Sequence, residues 1–237
     1  MHSFALGGVE YDAVIFDCDG VLLDSNRLKV DAFQEVALAS GFDETTVREF
    51  STWQSKNFGT SRYRAFERLL SGDFGHVPAS ATLDGLLSAF GDRVSGGYLY
   101  VAEASGLRDL LQMLEGLPLY VASGSDEQEL RAVLRARGLA SYFCEVYGSP
   151  TPKSRIVNQI LECSTSTRAI FVGDAHADAD AAQGNSIDFV FVNALSTVGA
   201  SMSVRAKAEG FAEFEGLDDL AAAISAGDST THRGETR

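Results

Sequence analysis

With 237 residues, 45% of them hydrophobic, the chain can bury the core of one large domain or two modest ones, which excludes global disorder. A net charge of −14 excludes a nucleic-acid or anionic-membrane partner, since both need a basic surface; it suits either plain solubility or the attraction of metal cations. The three cysteines, Cys18, Cys144 and Cys163, lie far apart with no Cys-x-x-Cys or Cys/His spacing, so neither a disulfide framework nor a zinc site is expected.

Met1 to Glu10 lacks a basic segment followed by a long apolar stretch, and no run approaches bilayer-spanning length, so a cytoplasmic setting is expected. The first informative segment is Asp12–Phe16, an apolar run that reads as a strand buried on both faces. Asp17 and Asp19 follow it. In extended backbone they project to one side, roughly 6.5 Å apart. Two carboxylates so placed repel each other and call for a cation, a divalent metal or a lysine. Cys18, between them, turns away and reads as a small core residue.

From about Ser25 to Tyr100 only helical signals appear. Asp24 or Ser25 can cap a helix running to about Ser40 and closed by Gly41; Glu44–Phe50, Ser61–Leu70 and Ala81–Val94 follow. This length exceeds a simple crossover, and its apolar content predicts a separate helical unit over residues 23–97, hinged near Val21–Ser25 and Gly96–Gly97. Residues 1–22 and 98–237 then form the main domain.

Strands and helices alternate from there on. Leu119–Ala122, Phe143–Tyr147, Ala169–Val172 and Phe189–Val192 read as strands, and Asp126–Arg137, Lys153–Cys163 and Ala175–Gln183 as helices. The pattern predicts an α/β fold with a doubly wound parallel sheet, whose ligands gather beyond the carboxyl ends of the strands. Those ends carry Ser123-Gly124-Ser125, Pro152-Lys153, and Gly173-Asp174 through Asp178. Free amides at a helix start suit an anion, Lys153 adds a fixed cation, and Asp174 and Asp178 share a face if the turn is helical. The tail from Ala226 to Arg237 is polar and reads as frayed.

Taken in order, Asp17-Cys18-Asp19-Gly20-Val21-Leu22-Leu23-Asp24-Ser25, Ser123, Lys153 and Gly173-Asp174 to Asp178 resemble the four motifs of the haloacid dehalogenase superfamily. The helical insertion resembles the small cap of its phosphoglycolate phosphatase and β-phosphoglucomutase branch. Ala175 departs from the family, many of whose members carry Ser or Thr there. The resemblance implies phosphoryl transfer from a small phosphorylated metabolite through an aspartyl-phosphate. Asp17 would be the nucleophile and Asp19 the acid/base. Mg²⁺ would be held by Asp17, the Asp19 backbone carbonyl, Asp174 and, directly or through water, Asp178. Ser123, Gly124 and Lys153 would bind the transferring group.

Asp19 favours an oxygen leaving group, which a proton must accompany, over a halide or a phosphonate; Lys29 and Lys56 are present as Schiff-base lysines only in principle. A phosphatase is the leading expectation, a phosphomutase the alternative, and a non-catalytic phosphoacceptor or binding protein the third. Within the insertion Arg48, Lys56, Arg62, Arg64 and Arg68 form a local basic excess. Lys56, Arg62 or Arg64 could hold a second anionic group of the substrate, or the arginines could form a solvated helix face. Trp53 and Phe58 read as core or as a stacking surface. His176 reads as a turn residue or as a contact to the leaving group.

Overall fold

The computed structural model describes residues 2–57, 59–164, 166 and 168–231, with side chains described to residue 227. Its centre is strand β3 (Ala13–Phe16), all four residues of which are buried. Alternation sends Val14 and Phe16 into one apolar cluster and Ile15 into another, which is why the run is apolar without a break. Around β3 the strands β4 (Leu119–Asp126), β5 (Glu145–Ser149), β6 (Ala169–Gly173), β7 (Asp188–Val192) and β8 (Ala212–Phe214) form a six-stranded parallel sheet in the order β5-β4-β3-β6-β7-β8. The chain runs outward through β4 and β5, then returns to lay β6 on the other side of β3. A crevice opens at such a reversal, beyond the carboxyl ends of the strands.

Helices cover both faces. Ile156, Val157 and Ile160 of α7 (Lys153–Cys163) and Ala179 and Ala182 of α8 (His176–Gly184) pack with Ile15 and Phe171. On the opposite face Leu110 of α5 (Leu107–Met113), Leu130 and Leu134 of α6 (Glu127–Ala136) and Leu220 of α10 (Leu217–Thr231) pack with Val14 and Phe16. Helix α9 (Gly199–Glu209) precedes β8. A hairpin of β1 (Phe4–Leu6) and β2 (Val9–Tyr11) lies against α10. The expected fraying of the tail is corrected in part: helix α10 carries the chain past Ala226 to Thr231, anchored by buried Leu217, Leu220 and Ile224. The remainder of that tail lies outside the described residues.

Between β3 and α5, among the described residues, stand the four helices of the insertion: α1 (Asn26–Ala39), α2 (Glu44–Lys56), α3 (Arg62–Leu70) and α4 (Leu83–Tyr98). They meet on an aromatic cluster, with Phe33 4.3 Å from Phe90 and 5.1 Å from Phe66 between ring centroids. Phe50 stands edge-on to Phe33. Burying several aromatic rings in so short a stretch is enough to hold helices that would be marginal in isolation. Helix α2 extends beyond the expected Phe50 because Gln54 continues the buried stripe of Val47 and Phe50 through a polar sequence. Gly96 and Gly97, read as a hinge, lie inside the last turn of α4.

Candidate active site

Asp17 continues β3, and its backbone N–H donates to Val172 O of β6 at 2.9 Å, which pins its carboxylate beside the strand that leads into Asp174. Asp174 follows β6. Its carboxylate and those of Asp17 and Asp178 bring ligand oxygens within 4.8 Å of one another, all buried. Asp178 sits in the first turn of α8, where Oδ2 accepts from the backbone N–H of Asp174 (3.1 Å) and Ala175 (3.0 Å). The bond from the Ala175 N–H is the half of a capping box made by the third helical residue; alanine at the N-cap has no hydroxyl to make the other half. Its Oδ1 accepts from Lys153 Nζ, which also lies 3.0 Å from Asp17 Oδ1 as an ion pair. The sheet therefore brings Asp17, Asp174, Asp178 and Lys153 to one point.

The electrostatics of this point are unfavourable without a cation. Burial above all, then the neighbouring Asp178 and Asp19, pushes the Asp17 carboxyl up to about 7 despite the opposing charge of Lys153. Burial, then Asp178 and Asp17, lifts Asp174 well above the usual carboxylate range. Burial also works against the charge of Lys153, but Asp17 and Asp178 outweigh it and hold the ammonium protonated. Asp174 Oδ1 is buried with no hydrogen-bond partner, and buried Asp17 Oδ1 faces only the Lys153 ammonium at 3.0 Å. An orphaned Asp174 oxygen beside the converging Asp17 and Asp178 carboxylates, with Asp17 and Asp174 made costly to ionise by burial, is a donor set that a small, oxygen-preferring divalent cation fits. The Asp178 oxygens are already committed, so its contribution to such a cation would be to orient rather than to ligate.

Asp19 belongs to a different cluster from Asp17. Its carboxylate accepts from Ser25 Oγ (2.5 Å), Tyr98 OH (2.5 Å), Ser125 Oγ (2.6 Å) and Lys29 Nζ, with Ser123 Oγ at 3.4 Å. Burial would raise its pKa, but the charge and hydrogen bond of Lys29, with those of Ser125 and Ser25, hold it well below the ordinary value. The carboxylate thus turns toward the insertion, and the backbone carbonyl remains as the part of Asp19 available to a metal. Gly20, at φ +80°, turns the chain directly after Asp19; a side chain there would run into Asn26 and Asp174.

Several of these residues were not assigned from the sequence. Ser25 occupies the N-cap of α1, yet its hydroxyl serves Asp19 rather than the helix. Asn26 Nδ2 donates to Asp174 Oδ2 and to Leu195 O, both at 2.9 Å, so the insertion's first helix steadies a metal-cluster carboxylate. Lys29 forms an ion pair, and Tyr98 reaches Asp19 from the far end of the insertion. Ser125 stood in the Ser123-Gly124-Ser125 segment as a visible signal; Asn26, Lys29 and Tyr98 gave none beyond polarity within a helix.

A cavity of 60 Å³ lies between this centre and the insertion, lined by Asp17, Asp19, Gly124, Ser125 and Lys153 from below. Lys29, Phe33, Trp53, Gln54, Arg62 and Phe90 face it from above. By the space a single water needs, that is room for about four to six waters, close to one phosphate group. The loop between α2 and α3 reaches down to the core here: a side chain on Gly124 would meet Gly59 O at 2.8 Å, and one on Gly59 would meet Ala177 and Ala175 at 3.1 and 3.3 Å. Small residues at 124, 175 and 177 are what allow this approach.

The basic residues of the insertion separate. Arg62 is buried, pairs with Glu129 of α6 and lies 4.7 Å over the Phe90 ring, so its charge is already matched. Lys56 and Arg64 are exposed and lie outside the cavity lining, as do Arg48 and Arg68. Trp53 lines the cavity but stacks at 12° on Phe50 and packs against Phe74. Phe58 lies outside the described residues. His176 faces Ser201 Oγ at 2.8 Å, away from the cavity.

Comparison with known proteins agrees with this arrangement. Residues 11–185 match the family model described as haloacid dehalogenase-like hydrolase. A phosphoglycolate phosphatase of Rhodobacter capsulatus is 27% identical over 187 residues, covering 75% of this chain and 82% of that protein. Among solved structures, one described as a predicted phosphatase from Clostridium acetobutylicum superposes with a TM-score of 0.72 at 20% identity, covering 91% of this chain and 99% of that one. CbbY from Rhodobacter sphaeroides, solved in complex with phosphate, gives 0.62 at 22% identity over 77% of this chain and 86% of its own. With three-quarters of its length inside that model and the motif residues gathered at one sheet edge, this chain belongs to the haloacid dehalogenase-like hydrolases.

Proposed function

We propose that the protein is a Mg²⁺-dependent phosphatase acting on a small phosphorylated metabolite through an aspartyl-phosphate on Asp17. The convergence of the Asp17, Asp174 and Asp178 carboxylates beside Lys153, open to a phosphate-sized cavity, carries this reading. The phosphatases among its relatives support it. Asp17 and Asp174, with the Asp19 carbonyl, would hold Mg²⁺, which would neutralise carboxylate and phosphate charge together.

Each residue then has a defined task. Asp17 attacks phosphorus with one carboxylate oxygen while the other faces the cation. Lys153, Ser123 and the Gly124 amide offset charge on the transferring oxygens from fixed positions. Asp19 would first take up a proton, loosening its tie to Lys29, to protonate the leaving oxygen, and would later take one from the attacking water; Ser25, Tyr98 and Ser125 fix its orientation. The insertion covers the cavity and keeps bulk water from the acyl phosphate.

The test is phosphate release from a panel of phosphate monoesters with Mg²⁺ and with EDTA. Release should stop with EDTA and resume on adding Mg²⁺. Asp17→Asn should lower it by about a thousandfold or more, the scale of losing a covalent nucleophile. Undiminished activity in Asp17→Asn would overturn the assignment.

A further inference from the structure

We infer that Ser25 and Tyr98 are positioning residues for the acid step: together they occupy Asp19 Oδ1 and leave Oδ2 as the oxygen that passes the proton to the leaving group. The inference rests on the phosphatase reading and deepens it, because it gives the two oxygens of one carboxylate separate tasks.

The two oxygens of Asp19 face different surroundings. Oδ1 accepts from Ser25 Oγ and from Tyr98 OH, both at 2.5 Å, which fills the two lone pairs a carboxylate oxygen has to offer. Both partners are buried, and neither lines the cavity. Oδ2 accepts from Ser125 Oγ at 2.6 Å and from Lys29 Nζ, and both of these partners do line it. Oδ2 is therefore the oxygen on the substrate's side. A proton on Oδ1 would displace a buried hydroxyl whose next acceptor is 3.4 Å away, Leu23 O for Ser25 and Ser125 Oγ for Tyr98. A proton on Oδ2 displaces the Lys29 ammonium instead, which stands at the cavity wall.

The origin of the two hydroxyls is the second ground. Ser25 immediately precedes α1, and Tyr98 is the last residue of α4, so they stand at the entry and the exit of the insertion. The two crossings are joined there: Asp24 N–H donates to Ala102 O at 2.9 Å, and Ala104 N–H to Leu22 O at 3.0 Å. The chain thus delivers both donors to Oδ1 from the place where the insertion meets the main domain. The Ser25 hydroxyl does not cap α1, and a phenylalanine would fill the buried site of the Tyr98 ring, so what each hydroxyl adds is its bond to Asp19. With Oδ1 so held, the Asp17–phosphorus bond forms as the bond from phosphorus to the ester oxygen breaks. The bonding pair goes to the ester oxygen, the proton passes to it from Oδ2, and Asp19 is left as the carboxylate.

The test compares ethyl phosphate with acetyl phosphate on the full-length enzyme with Mg²⁺. The two are close in size, but the ethyl ester needs a proton on its leaving oxygen, whereas acetate departs as the anion. In Tyr98→Phe the ratio of kcat/KM for ethyl phosphate to that for acetyl phosphate should fall about tenfold or more, the scale of losing one hydrogen bond to a charged group. Ser25→Ala should shift the ratio in the same direction, and it carries the test should the tyrosine variant fail to fold. Because both rates are read on one preparation, partial loss of fold lowers them together and leaves the ratio intact. A ratio that stays at the wild-type value, with both esters slowed equally or neither slowed, would overturn the inference while leaving the phosphatase standing. Release from none of a wider monoester panel would instead overturn the phosphatase reading on which it rests.

Discussion

Replacing Lys29 with Met removes the one cation on the Asp19 carboxylate while preserving most of the side chain's length. Both partners are nearly buried, with 12% and 10% of the side chains exposed, so the pair falls among interactions whose rupture costs about 3–5 kcal/mol. Ser25, Tyr98 and Ser125 still donate to Asp19, which places the expected loss at the lower end, about 3 kcal/mol. For a chain of this size that is a fall in Tm of roughly 6–12 °C, read by differential scanning calorimetry. The sign with pH follows from Asp19 being held below its ordinary value. Its stabilisation is complete above about pH 4 and is lost as pH falls through the lower folded value, so the gap between wild type and variant should persist down to about pH 4 and close only in stronger acid. The double variant Lys29→Met, Asp19→Asn should recover much of the loss, because no uncompensated charge remains buried. A Tm within about 2 °C of wild type, or strict additivity of the two single changes, would refute the coupling.

Metal-free protein should lose stability as pH rises from about 5 to 7, since Asp17, lifted to about 7, binds a proton in the folded state that the unfolded chain has already released. Mg²⁺ should raise Tm more at pH 8 than at pH 5, where protons compete for the same oxygens; thermal melts with EDTA and with Mg²⁺ at both pH values check this. Gly20→Ala should cost at least about 1–2 kcal/mol, seen in the denaturant midpoint, because φ is +80° and the new methyl meets Asn26 and Asp174. Phe33→Ala, which empties the centre of the aromatic cluster, should cost about 3–5 kcal/mol. If residues 23–97 form a unit of their own, hydrogen exchange in that variant should quicken in α1 to α4 and leave β3 and β6 protected.

The sheet was legible because its strands are apolar runs bounded by turns, and the site because its motifs gather at the carboxyl ends of strands, although Ser123 and Gly124 lie within β4 rather than beyond it. Ala13–Phe16 shows this most plainly, since a strand covered on both faces needs no alternation to be recognised. The hairpin of β1 and β2 carries no sequence signal: its strands are only three residues long and show no period. The second half of helix α2 is hidden in the sequence because Ser51, Thr52, Gln54 and Ser55 look like a loop, while its stability comes from Val47 and Phe50 against the other helices. The ties on Asp19 and the role of Arg62 depend on distance in space. Tyr98 is 79 residues from Asp19 and Arg62 is 67 from Glu129, separations over which local pattern says nothing about contact.

Whether Asp17 becomes phosphorylated is the point on which the chemistry turns. Enzyme mixed with Mg²⁺ and a ³²P-labelled monoester, quenched in acid within milliseconds and digested, should carry its label on the peptide that contains Asp17, and the label should vanish in Asp17→Asn. Label on another residue, or turnover with none on the protein at any time point, would contradict the account.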